Sequence, residues 1–156
     1  MECLNKKEIN LKELMPIIIE NLNNDKVIHF SPNGISMLPM LRQGKDSVIL
    51  TLPVKIKKYD MPLFETSTGN YVLHRVVKFN HDGTFDCMGD NCFRAEKNIR
   101  MEQVIAVVDG FYRDDKYYSV NYVPYRIYCV IWNYTRTLRR IYRKIRVLIR
   151  RFLNAK

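Results

Sequence analysis

A chain of 156 residues with 47% hydrophobic content has the apolar material for one domain with a core, which excludes a disordered or low-complexity protein. The formal net charge of +10 is not spread evenly: residues 1–123 are balanced, while residues 124–156 hold ten basic residues and no acidic one. The four cysteines, Cys3, Cys87, Cys92 and Cys129, contain no C-x-x-C pair and match no common zinc-ligand spacing, so reduced thiols are expected and no metal is.

Taken in order, Asn10 to Leu22 places Leu11, Leu14, Met15, Ile18, Ile19 and Leu22 at helical spacing, and Asn10 with Glu13 resembles a capping box. Pro16 should bend this helix or mark its real start. Lys26–Ser31 reads as a strand leading into the loop Gly34–Leu41, whose Leu38-Pro39-Met40-Leu41 segment suits a short helical turn. Ser47–Leu52 is a second strand, Lys55–Asp60 a basic connection, and Met61–Phe64 a short apolar piece. Tyr71–Phe79 reads as the longest strand, paired with Thr84–Met88 across His81-Asp82-Gly83. Gln103–Tyr112 and Lys116–Val120 form a further hairpin over Asp114-Asp115. The expected organisation is a helical segment over 1–25, a mostly-β domain over 26–121 and a C-terminal helix over 122–156.

That last segment changes period. From Pro124, Ile127, Val130, Ile131, Tyr134, Leu138, Ile141, Tyr142, Ile145, Leu148, Ile149 and Phe152 keep i, i+3, i+4, i+7 spacing, with arginines largely between them. The spacing predicts one long basic amphipathic helix. Such a helix suits an anionic membrane surface, where each basic residue contributes about 1 kcal/mol. The competing expectation is an apolar stripe packed on the β domain or on a second copy, with the arginines in water. Nucleic acid fits the segment poorly, because its apolar face is continuous and no groove-reading motif accompanies it. No stretch approaches the ~18–20 apolar residues that span a bilayer. The start, with Glu2, Lys6, Lys7 and Glu8, is unlike a secretory signal.

Three stretches carry candidate chemistry: Ser36 in its Gly/Pro-rich loop, His74 in Leu73-His74-Arg75-Val76, and Asp90 in Gly89-Asp90-Asn91. A serine, a histidine and a carboxylate are the parts of an activated hydroxyl nucleophile. Each also has a plainer reading. Ser36 suits a turn cap, His74 a satisfied strand residue beside Val72 and Val76, and Asp90 a turn that bonds its own backbone. Glu96 is a second carboxylate able to orient His74, so that role is open between the two.

The boxes, taken in order, favour the catalytic reading. Gly34-Ile35-Ser36-Met37-Leu38-Pro39, then Gly44-Lys45-Asp46-Ser47-Val48, resembles the G-x-S-M-x-P and G-D-x-V boxes of signal peptidase I and the repressor-type autoproteases. Lys58-Tyr59-Asp60-Met61-Pro62-Leu63 resembles the following K-x-G-D-I-V box, with Tyr59 where glycine is expected. Leu73-His74-Arg75-Val76 resembles the H-R-V box of the archaeal and endoplasmic-reticulum-type enzymes, and Gly89-Asp90-Asn91 resembles the G-D-N-N box, with Cys92 in the last place. Val108-Asp109-Gly110 resembles the closing strand, so that the likeness spans about residues 26–113.

The resemblance implies a small, curled, partly barrel-like β domain, flanked here by the short N-terminal helix and the basic C-terminal one. It implies a serine endopeptidase without metal or organic cofactor, acting on the leader of a peptide or precursor protein. Ser36 would be nucleophile and His74 general base, with Asp90 or Glu96 as the acidic third member. Met37, Pro39, Arg75 and Asn91, from the same boxes, are expected to contact substrate. Against the family pattern, no transmembrane helix and no DNA-binding helix-turn-helix is expected. The expected location is therefore cytoplasmic, peripheral at the inner face of the membrane. The alternatives are a non-catalytic peptide binder of the same fold and a nucleic-acid-binding module working through the arginine-rich tail.

Overall fold

The computed structural model describes residues 11–24 and 26–153. The chain is mainly β, with two antiparallel sheets, one helix before them and two after. The first helix, α1 (Leu11–Asn23), runs through Pro16 without ending there. Pro16 lies on the exposed side, whereas Met15, Ile18 and Leu22 are buried, so the missing N–H leaves the packed face intact. The Asn10 cap, Asp25 and Cys3 lie outside the described residues.

The larger sheet has the order β1 (Ile28–Phe30), β2 (Ser47–Thr51), β8 (Val104–Arg113), β3 (Pro62–Glu65), β4 (Tyr71–Leu73), and β9 (Lys116–Ser119) pairs with β8 as well. β8 is its spine. Its first half pairs with β3 (Leu63↔Ala106) and its second half with β2 (Val48↔Phe111) and β9 (Phe111↔Tyr118). Val104, Ala106 and Val108 alternate inward along it, the period-2 pattern of a half-buried strand. The smaller sheet contains β5 (Arg75–Phe79), β6 (Phe85–Met88) and β7 (Glu96–Ile99).

Two sequence expectations change here. Tyr71–Phe79 is not one strand: it divides at His74, with β4 in the larger sheet and β5 in the smaller. Strict alternation ends there, and Leu73, His74, Arg75 and Val76 are buried in succession, because the two sheets enclose the chain where it crosses. The second change is β7, which pairs with β6 (Cys87↔Glu96) where the sequence reads as a polar connection. Only Ile99 of β7 is buried, so the strand carries no apolar alternation to read.

The core has two parts. One lies on the larger sheet and includes Met15, Ile18 and Leu22 of α1 together with Val48, Leu50, Leu63, Ala106 and Val108. The other lies between the sheets, where Phe64 and Val104 meet Val76, Phe85, Cys87 and Ile99.

The C-terminal segment is two helices, α2 (Val123–Tyr134) and α3 (Arg136–Leu153), where the spacing predicts one. Thr135 ends α2, with its N–H and its hydroxyl both donating to the Ile131 carbonyl, at 2.9 and 2.8 Å. Tyr125 and Cys129 of α2 belong to the main core. No helix among the described residues is long and apolar enough to cross a membrane.

Candidate active site

Ser36 lies in the loop between β1 and β2. Gly34 opens the loop at φ +101°, a conformation that side-chain-bearing residues avoid, and its N–H donates to Asn33 Oδ1 and Gln43 Oε1. One helical turn follows, closed by the Leu41 N–H to the Met37 carbonyl at 2.9 Å. Met37, Met40 and Leu41 are buried in the main core, which anchors the turn and leaves Ser36 half-buried at its start. Among the described residues, the N–H groups of Ser36 and Met37 make no backbone hydrogen bond. Two free donors beside a hydroxyl are what an oxyanion site requires.

His74 occupies the crossing between the sheets and is 8% exposed. Its N–H donates to the Pro62 carbonyl at 3.3 Å, and the Phe64 ring meets the imidazole edge-on at 6.4 Å. Burial pulls its pKa below the ordinary imidazole value, with the negative charges of Glu96 and then Asp90 pulling the other way. Nδ1 is buried and has no hydrogen-bond partner among the described residues. The imidazole is thus a neutral group in an electronegative setting, a state suited to taking up a proton.

The Gly89-Asp90-Asn91 turn joins the two. A Cβ on Gly89 would lie 2.6 Å from the Ser36 carbonyl oxygen, 2.8 Å from Cys92 Sγ and 3.1 Å from His74 Nε2, so only glycine fits at this meeting point. Asn91 fastens the serine loop directly: its N–H donates to the Ser36 carbonyl at 2.8 Å and its Nδ2 to the Ile35 carbonyl at 3.1 Å. Residues far apart in sequence are thereby held round one point.

Asp90 and Arg75 form a buried bidentate pair, Nε to Oδ1 at 2.8 Å and Nη2 to Oδ2 at 2.7 Å. The rest of the Arg75 guanidinium donates to the Tyr59 carbonyl, Tyr125 Oη and Cys129 Sγ. Arg75, expected to contact substrate, is 1% exposed and fully engaged in this network, so it braces the fold instead. Met37, also expected at the substrate, is likewise buried in the core. Among the described residues no hydrogen bond joins Asp90 to His74, because both carboxylate oxygens are turned to Arg75. Glu96 is exposed on β7 and is the stronger of the two charges acting on His74. Pro39 and Asn91 do meet an open space: both line a groove of about 440 Å³ between the serine loop and α3.

Several participants carry no sequence signal of a site. α3 presents arginines to the Gly89–Asn91 turn: Arg139 donates to the Asp90 carbonyl at 3.3 Å, Arg143 to Asn91 Oδ1 at 2.7 Å, and Arg136 to Met88 Sδ. Trp132 Nε1 adds a bond to the Asp90 carbonyl at 3.0 Å, and the Arg139 guanidinium lies over its ring at 3.5 Å. Interleaved arginines on an amphipathic helix look like a solvated face, so their partners are visible only in three dimensions. Gly89 stands out in the sequence as part of a turn, and the reason that it must be glycine comes from the packing.

The Arg75–Asp90 pair gives a first expected outcome. Asp90→Ala leaves the guanidinium charged, buried and without its carboxylate, and should cost about 3–5 kcal/mol of stability. The denaturant midpoint measures this. A loss below about 1 kcal/mol would show that the pair does not anchor the turn.

Cys87, Cys92 and Cys129 are free thiols. Burial raises the pKa of Cys92, so this thiol beside the meeting point is protonated near neutrality. Among the described residues no three His, Cys, Asp or Glu side chains are grouped as a metal site. No protein-family model matches this sequence, and no curated protein matches it.

Proposed function

We propose that the chain is a serine endopeptidase of the signal-peptidase kind, with its β domain a member of that curled fold, acting on the leader of a peptide or precursor protein. Ser36 Oγ attacks the scissile carbonyl and its proton passes to His74. The imidazolium then protonates the leaving amine, and water resolves the acyl-enzyme by the same steps. The N–H groups of Ser36 and Met37 receive the oxyanion. Glu96 supports the imidazolium through its field, and Asp90 holds the turn through Arg75. The observation that carries the reading is the meeting at Gly89, where the Ser36 backbone and His74 Nε2 approach one point from separate boxes. Tyr59 adds weight: it stands where the resembled box has glycine, and its φ of +75° is the conformation glycine favours.

The substrate lies as an extended strand beside β4, the strand that leads into His74. β4 ends the order of the larger sheet, so it offers backbone groups for β-augmentation. The resemblance implies small side chains before the cut. Purified chain is incubated with precursor peptides encoded beside it, and the cut is mapped by mass spectrometry. Replacing the residue before the mapped cut by a bulky aromatic should abolish cleavage, and unimpaired cutting would refute this mode.

One observation favours a second reading, a peptide binder that keeps the fold without the chemistry: among the described residues no hydrogen bond joins the Ser36 hydroxyl to His74. Catalytic contacts in free enzymes are commonly long and tighten with substrate. Covalent labelling of Ser36 by a fluorophosphonate separates the two readings, since a binder would not react.

A further inference from the structure

The C-terminal helix α3 has its faces reversed relative to a helix packed on a core. Arg136, Arg139 and Arg143 point to the domain, where they hold Met88, Asp90 and Asn91. The apolar residues Leu138, Ile141, Ile145 and Ile149 lie roughly 140° further round the helix. They are 67, 50, 49 and 53% exposed. A domain-facing apolar stripe would be buried, and this one is turned outward along successive turns. Ile131 and Tyr134 at the end of α2 are also exposed, at 56 and 75%.

The charges beside the stripe indicate what covers it. Lys144 borders it on one side and Arg146 on the other, both exposed and in no ion pair among the described residues. No acidic residue lies anywhere in residues 124–156. A second copy meeting this face symmetrically would set two such cationic borders together with nothing to neutralise them. A nucleic acid would neutralise the arginines but would leave the isoleucines and leucine in water. A surface that is apolar inside and anionic at its rim satisfies both parts.

We infer that the outward face of α3 lies in the interface of an anionic lipid bilayer, with Leu138, Ile141, Ile145 and Ile149 among the acyl chains and the flanking cations at the headgroups. The inner face of the same helix keeps its hold on the Gly89–Asn91 turn. A helix with its side chains is about 10–12 Å across, so the Ser36 loop stands about one helix width from the headgroups. Lipid binding is independent of any chemistry at Ser36. Only its use, which is to bring the site to a leader held at the membrane, rests on the peptidase reading.

The full chain is mixed with vesicles of equal parts phosphatidylglycerol and phosphatidylcholine, or of phosphatidylcholine alone, and floated on a density gradient. Binding is expected to the anionic vesicles only, and to weaken as salt is raised. Leu138→Gln, Ile141→Gln and Ile145→Gln together keep every charge and remove the apolar stripe. This variant should keep the wild-type circular dichroism spectrum and bind at least about tenfold more weakly. Absence of flotation, equal binding to neutral vesicles, or unchanged binding by the variant would overturn the inference. So would a dimer in sedimentation that the variant abolishes while the wild type ignores lipid. Because flotation requires no substrate, its result is separate from that of any peptidase assay.

Discussion

Ser36→Ala is expected to abolish peptide cleavage while leaving the fold as it is. In the proposed mechanism the hydroxyl supplies the covalent step, and loss of a nucleophile that acts with its base typically lowers the rate on the order of 10⁴–10⁶-fold. The loop itself does not depend on that hydroxyl. Its geometry comes from Gly34, from the Met37–Leu41 turn, from the buried Met37, Met40 and Leu41, and from the two Asn91 hydrogen bonds to the Ile35 and Ser36 carbonyls. The melting temperature should therefore stay near that of the wild type, within the ±0.5 kcal/mol usual for a substitution that removes no packing. Single-turnover kinetics on the mapped substrate, paired with a thermal melt, test both halves. Cleavage at the wild-type rate would make Ser36 a turn residue and end the peptidase reading.

The second large effect concerns His74. As the proposed general base it works in the neutral form, so kcat/KM should rise with pH as the imidazolium of the free chain loses its proton. Because burial lowers this pKa, the rise should centre below the ordinary ~6.5. His74→Ala should be nearly inactive at every pH. A rise appearing only above about pH 9 would identify a lysine as the base instead. Stability follows the same group with a definite sign. The unfolded chain binds the proton more readily than the folded one, so this contribution is fully present above ~6.5 and drains away as pH falls towards the folded pKa. Denaturant midpoints compared on either side of pH 6.5, for wild type and His74→Ala, show whether the imidazole is the group responsible. An activity profile that shifts while the stability profile does not would separate a kinetic role from a folding one.

The arginines of α3 connect the two ends of the molecule. Arg143 takes Asn91 Oδ1, and Asn91 in turn holds the Ile35 and Ser36 carbonyls, so the C-terminal helix reaches the serine loop through a single asparagine. Trp132 and Arg139 secure the Asp90 carbonyl from the same side. A basic tail is thus part of what positions the turn, in addition to whatever its outer face binds.

Elements with one clear period were legible in the sequence. α1, β2 and β8 follow from apolar spacing, since each has a buried face and an exposed one, and the β8–β9 hairpin follows from the Asp114-Asp115 turn. The order of the boxes likewise singled out Ser36, His74 and the Gly89–Asn91 turn, because the residue types and their order are a local property of the chain. Tertiary structure decided the rest. It divided Tyr71–Phe79 at His74, since crossing from one sheet to the other buries consecutive residues and erases the alternation. It formed β7, whose exposed edge has no apolar pattern. It placed Arg75 and Asp90 together in the interior, and turned Arg136, Arg139 and Arg143 of α3 inward while leaving the apolar stripe outside. A sequence records how polarity alternates along one element; which face meets the protein is settled by partners that lie far away in the chain.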